Sequence, residues 1–210
     1  MKYLVRIILS EKAGTYQLAD YKWLEQFLWK NGFSGLTVRR SEMNLNYQNK
    51  RRISILEDQQ FNDLSLIVET IDSGQRIMSV LQEIKDHLKH GQISLIKGME
   101  EKDMSTHDHF AVKVYTKEEN SWFRKEEYEK VIDFFQEKNA IWTSMTKGIV
   151  GYGEDHVIHK QKLFARSEQT PIVIECVVSS ENLDELLQGL DSVVEEGAIF
   201  TTPIHLIANK

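Results

Sequence analysis

The chain has a single cysteine, Cys176, among its 210 residues, so no internal disulfide can staple it. The thiol lies in the apolar run IVIECVV, where a free cysteine packs as a small hydrophobe, and such sparing use fits a reducing compartment. Long hydrophobic stretches are lacking too: none reaches the roughly 18 apolar residues a membrane helix needs. The opening residues, MKYLVRIILSEK, return to charge after a short apolar stretch and lack the cleavage pattern of a secretory signal. A cytoplasmic location is the expectation. A surplus of positive charge is missing as well. The net charge of −6 argues against nonspecific nucleic-acid binding, which needs a local excess of Lys and Arg to neutralise phosphates. No nucleophile-and-base constellation, paired-carboxylate motif or strong metal signature stands out, so an enzyme is not expected and no cofactor is implied.

What is present is enough for a folded protein. Hydrophobic residues make up 41% and charged residues 28%, and the length suits two compact units of roughly 100 residues each. A search for self-similarity decides the organisation. Val5, Tyr21, Leu24, Phe27 and Leu28 recur as Val112, Tyr128, Val131, Phe134 and Phe135, each displaced by 107 positions. Further on, Leu66, Ile67, Val68 and Glu69 recur as Ile172, Val173, Ile174 and Glu175, and Gly91 as Gly197, displaced by 106. Ile77, Val80, Leu81, Ile84 and Leu88 map without a gap onto Leu183, Leu186, Leu187, Leu190 and Val194. That spacing is the apolar stripe a helix lays on a sheet.

The first copy reads as strands near 3–9, 35–41, 64–71 and 92–97 with helices near 17–31 and 74–90. The second reads as strands near 110–116, 141–149, 171–178 and 198–207 with helices near 124–138 and 181–196. Ser73 and Ser180 are expected N-caps, and Gly91 and Gly197 expected C-caps. The order β-α-β-β-α-β in each half predicts an α+β protein of two tandem ferredoxin-like domains with antiparallel sheets and both helices on one face. The domains are expected at 1–98 and 109–210, with polar 99–108, MEEKDMSTHD, as linker. The strands are apolar on both parities, as in Leu66-Ile67-Val68 and Ile172-Val173-Ile174. The sheet face away from the helices must therefore be buried also, against the other copy or another chain, and a homo-oligomer is the economical expectation.

The second half resembles the family catalogued as domain of unknown function one-ninety, a branch of the PII signalling proteins. The resemblance is carried by KVYTKEEN (113–120), the helix from Lys125 to Lys138, TKGIVGYGEDHVIHK (146–160) and TPIVIECVVSSENLDELL (170–187). It covers about half the chain, and the first copy fits by pattern. The family likeness implies a ferredoxin-like fold, trimeric association and a loop after the second strand that engages a partner, with inter-subunit clefts that bind nucleotides in PII proteins. Relatives encoded beside fluoride-export genes imply a membrane transporter among the protein partners. The first copy has SEMNLNYQNKRR (41–52) in place of the glycine-rich loop, which makes it a degenerate copy.

The expected ligand-binding residues follow from that loop and from the basic residues of the first copy. Gly148, Gly151 and Gly153 bracket Tyr152 in GIVGYG, and glycines let backbone N–H groups approach an anion. The spacing is neither a Walker motif nor a dinucleotide fingerprint, and a flexible hairpin is the plainer reading. Lys147, His156, His159 and Lys160 flank the glycines. Arg39 and Arg40, with Lys50, Arg51 and Arg52, concentrate positive charge in the first copy. Residues 1–106 hold 15 basic and 14 acidic residues, and residues 107–210 hold 11 and 18, giving +1 and −7. A small anionic ligand, a nucleotide among the candidates, or a partner protein is the expectation. Metal binding through His156 and His159 with Glu154 and Asp155, or through His107 and His109 about Asp108, is the alternative; surface histidines without a closed ligand set are usually just solvated. RNA-recognition domains share the element order but stack bases on strand aromatics, and LSLIVETI and PIVIECVV offer none. Tyr21, Phe27, Tyr128, Phe134 and Phe135 are expected in the core, and Trp122 and Phe123 as a staple or contact before a helix.

Overall fold

A computed structural model describes residues 1–11, 19–41, 43–45, 51–53, 64–118, 127–153, 157–160 and 170–208. Trp122, Phe123, Glu154, Asp155 and His156 lie outside them. The first module runs β1 (Lys2–Ser10), α1 (Asp20–Lys30), β2 (Leu36–Arg40), β3 (Met43–Leu45), β4 (Arg51–Ile53), β5 (Ser65–Ser73), α2 (Gly74–His87) and β6 (Gln92–Lys97). The second runs β7 (His109–Lys117), α3 (Glu127–Glu137), β8 (Trp142–Lys147), β9 (Val150–Tyr152), β10 (His159–Lys160), β11 (Pro171–Ser179), α4 (Ser180–Val193) and β12 (Ala198–Ile204). The strand order β2-β5-β1-β6 in one module matches β8-β11-β7-β12 in the other. Both are α+β, ferredoxin-like sheets, and the printed ladders within them are antiparallel.

Each core forms between one sheet face and two helices. In the second module Phe110, Val112 and Val114 of β7 and Ile172, Ile174, Cys176 and Val178 of β11 meet Val131 and Phe135 of α3 and Leu183, Leu186 and Leu190 of α4. In the first, Val5, Ile7 and Val68 converge with Leu28, Phe33, Ile77, Val80 and Ile84 on one small void. Each fully buried Leu, Ile or Phe contributes about 1.5–3 kcal/mol. The helix stripes lie where the periodicity puts them: Ile77, Val80 and Ile84 are buried, as are Leu183, Leu186 and Leu190. Phe135 is fully enclosed, whereas Tyr21, Phe27, Tyr128 and Phe134 are half-buried. Leu4, Glu69, Ala111, Lys113 and Val173 are also buried.

Helix punctuation differs from expectation in instructive ways. Ser73 caps α2, its hydroxyl accepting from the Arg76 N–H at 3.3 Å. For α4 the N-cap is Ser179, one residue before Ser180, which is already helical. Gly91 and Gly197 are not C-caps: α2 and α4 close at Leu88 and Val194 in extended backbone. They have φ of +128° and +156°, and a Cβ would come within 2.7 Å of the Ile8 carbonyl oxygen and 2.2 Å of that of Tyr115. Both glycines exist to let the returning chain touch the first strand of its module. The left-handed caps sit instead on the first helices, at Gly32 (φ +71°) and Asn139 (φ +55°). In both, paired N–H groups close the last turn: Gly32 to Trp29 and Phe33 to Leu28, Asn139 to Gln136 and Ala140 to Phe135. That is the Schellman arrangement.

The chain clusters into two compact units. One is residues 2–96 with 151–157; the other is Met1, 97–150 and 158–210. The segment 99–108, expected as a linker, contains a short 3-10 helix, Glu101–Ser105, held by a reciprocal box between Glu100 and Asp103. Met99 and Met104 pack on the second core, and the Met99 N–H donates to the Thr201 carbonyl at 2.7 Å. Residues 151–157 of the expected second domain cluster with the first.

Candidate functional site

The glycine-rich loop does not simply hang from the second module. β9 is a neighbour of β2 in a six-stranded sheet of order β10-β9-β2-β5-β1-β6. The strand is buried: Val150 is 3% and Tyr152 5% exposed. Tyr152 meets Trp29 of α1 edge-on at 5.1 Å, and its carbonyl oxygen would stand 3.4 Å from a Cβ at Gly35. Gly35 is itself held, its carbonyl accepting from the Thr70 hydroxyl at 2.6 Å. Burial first, then Glu25 and Asp72, raise the Tyr152 phenol above its ordinary value, so it stays protonated at neutral pH.

None of Gly148, Gly151 and Gly153 takes a positive φ, so left-handed backbone is not what the loop's glycines supply. The Gly148 N–H is engaged, donating to the Pro171 carbonyl at 2.7 Å. Gly151 lies buried within β9, and Gly153 is half-buried just beyond it. Pairing thus places Gly151 and Tyr152 on the sheet whose next strand ends in Arg39 and Arg40. Lys147 is paired elsewhere, to Glu118 at 2.6 Å. His159 and Lys160 form β10, the outermost strand. His156 is not among the described residues.

Arg39 and Arg40 are both paired with carboxylates. Glu69 is wholly enclosed and receives Arg6 Nε at 2.8 Å on one oxygen and an Arg39 guanidinium nitrogen at 2.7 Å on the other. Arg40 pairs with Glu11, and there both side chains reach solvent, at 38% and 23%. The second module repeats the first of these arrangements with Lys113 and Glu175 at 3.0 Å. Among the described residues no group of three or more His, Cys, Asp or Glu side chains is placed to hold a metal. His107 instead packs against Phe110 and exchanges a hydrogen bond with the Thr106 hydroxyl. Burial pushes the Cys176 thiol up to about 12, with Glu175 adding to the shift; it is no nucleophile at neutral pH.

Both halves match one family model, described as Uncharacterized ACR, COG1993 (DUF190), over residues 2–97 and 109–206. The chain belongs to the DUF190 family, in tandem duplicate. Among relatives, the UPF0166 protein MJ1524 of Methanocaldococcus jannaschii is 28% identical over 96 residues, 45% of this chain and 88% of that protein. A UPF0166 protein of Aquifex aeolicus is 26% identical over 79 residues, 38% of this chain and 75% of the relative. Each relative is thus about the size of one DUF190 module. A solved structure of an unknown protein from Galdieria sulphuraria is 16% identical, covers 97% of this chain and 98% of its own, and overlays with a TM-score of 0.31. No helix among the described residues is long and apolar enough to cross a membrane.

Sequence reasoning missed the Glu69 cluster, Trp29 and Gly35. A signal for the first was present. Arg6 and Lys113 are displaced by 107 and Glu69 and Glu175 by 106, so the repeat keeps an acid opposite a base. Two copies that agree on charge in the middle of apolar strands mark a paired site. Nothing local distinguishes Gly35 or Trp29.

Proposed function

We propose that this chain is a non-catalytic sensing protein of the PII-like kind, in which the loop after β8 and the C-terminal end of β2 take up a small anionic ligand or a partner protein. One observation carries the reading: β9 joins the strand that delivers Arg39 and Arg40. The strand is only three residues long, so its pairing is lightly held. The Arg40–Glu11 pair is partly exposed, and an anion, including a nucleotide phosphate, competes with Glu11 for the guanidinium. Ligand uptake then shifts a population between two pairings of Arg40, and no bond chemistry is required. The buried, protonated Cys176 offers no nucleophile at neutral pH, which supports binding.

The test is titration calorimetry of the full chain with nucleotides and inorganic anions. Saturable heat without substrate turnover is expected, and Arg40→Ala should weaken binding about tenfold, the worth of one charge-assisted hydrogen bond at ~1.4 kcal/mol. No heat and no thermal shift with any of these anions would refute the small-ligand reading. Steady product formation would refute the non-catalytic one.

A further inference from the structure

Of the chain's asparagines only Asn31 is followed by glycine, and the pair lies exposed in the turn that closes α1. Asparagine is among the thermally labile residues. Glycine after it removes the Cβ that would keep the next backbone nitrogen away from the side-chain carbonyl carbon. The chemistry needs only water. The Gly32 nitrogen bonds to Asn31 Cγ, the Cγ–Nδ2 bond breaks, and ammonia leaves with the proton that the Gly32 nitrogen gives up. Water then opens the succinimide at one of its two carbonyl carbons, and a proton returns to the ring nitrogen. Opening at Cγ leaves aspartate. Opening at the Asn31 backbone carbonyl leaves isoaspartate, whose main chain runs through the former side chain and is one methylene longer.

The folded turn holds both nitrogens. The Gly32 N–H donates to the Trp29 carbonyl at 3.0 Å and Asn31 Nδ2 to the Phe27 carbonyl at 2.8 Å, so the reaction waits for the last turn of α1 to fray. Helix ends open locally at little cost in free energy. The product does not fit the turn it forms in. A carboxylate replaces a donor at the negative end of the helix dipole. Phe33 is fully enclosed and its N–H is fixed to the Leu28 carbonyl, so the longer backbone is taken up between Trp29 and Gly35. Those two residues seat β9: Trp29 meets the Tyr152 ring edge-on at 5.1 Å, and the Tyr152 carbonyl lies against Gly35. The second module has Lys138 and Asn139 where the first has Asn31 and Gly32, so only the first copy carries the reactive pair.

We propose that Asn31–Gly32 is a site of spontaneous deamidation, and that isoaspartate there unseats β9 while the rest of the first module stays folded. Anion binding at Arg40 plays no part in it.

Peptide mapping by mass spectrometry of the full chain, aged in mildly alkaline buffer, tests the first half, with an isoaspartyl methyltransferase reporting the isomer. Asn31 should be modified ahead of every other asparagine, and about tenfold more slowly in the native chain than in urea, the lag that fraying imposes. Asn31→Gln should abolish the signal. The modified chains carry one more negative charge, so ion exchange separates them for the second half. Hydrogen–deuterium exchange at Gly151 and Tyr152 should be faster in the isoaspartate fraction than in unmodified chain, with β1 and β5 unchanged and no such change in Asn31→Gln aged alongside. Asn31 still intact in the native chain after ageing many times longer than full conversion in urea takes overturns the site, as does earlier modification at any other asparagine. Unchanged exchange at β9 in the isoaspartate fraction, or faster exchange throughout the first module, overturns the unseating.

Discussion

Arg6 and Glu69 in the first module, and Lys113 and Glu175 in the second, occupy one register of the same two strands, yet the burial is inverted. In the first the acid is fully enclosed while its two arginine partners are 32% and 14% exposed. In the second the base is enclosed, at 4%, and the acid reaches solvent at 38%. Duplication has kept the pair and exchanged which charge is desolvated. The enclosed member is the one that must be satisfied, since a buried charge without a partner costs far more than an exposed one.

The largest expected difference tests whether the modules stand alone energetically. Leu28 and Phe135 hold one position in the two cores and are 1% and 0% exposed. Leu28→Ala should cost about 2–5 kcal/mol and Phe135→Ala about 3–5 kcal/mol. In urea unfolding each should displace a separate transition; a single transition displaced by both would mean one cooperative unit. Next comes the inverted ion pair. Glu175→Gln takes the carboxylate from the enclosed Lys113 and should cost about 3 kcal/mol, against about 1 kcal/mol for Glu69→Gln, which removes the enclosed charge itself and leaves two partly exposed arginines. Equal losses by thermal denaturation would erase the distinction drawn between the copies.

Glycine substitutions come third. Gly91→Ala and Gly197→Ala should each lose about 1–3 kcal/mol, because both place a Cβ against a carbonyl oxygen at positive φ. Gly197 has the closer clash and should be the more sensitive by chemical denaturation. The smallest effect sharpens the Schellman comparison. Asn139→Gly should gain about 0.5 kcal/mol and Gly32→Asn lose a similar amount, since asparagine tolerates left-handed backbone less well than glycine. Losses in both directions would show that Asn139 has a further role.

The element order and the helix stripes were legible because they rest on local periodicity, and the duplication let each half check the other. Ile77 with Val80 and Ile84, and Leu183 with Leu186 and Leu190, needed only spacing. The glycines after the second helices were misread because two physical demands, a left-handed cap and a close backbone approach, select the same residue. For Ser179 and Ser180 the adjacent hydroxyls left a shift of one residue undecided. The partner of β9 was not legible at all. Three residues carry too little pattern, and their partner strand lies more than a hundred residues earlier, a pairing that no local rule encodes. Arg39 and Arg40 were picked out as basic, but only the folded strands reveal Glu69 and Glu11 as their counterions.

The insertion of β9 beside β2 also sets a schedule for biosynthesis. From Arg40 to Tyr152 is 112 residues, which a ribosome adds in about 6–22 seconds at ~5–20 residues per second. Throughout that interval the nascent first half carries a strand whose outer backbone groups await residues not yet translated. The emerging polypeptide therefore passes through a stage in which its earliest sheet is one strand short, and chaperone demand should peak there.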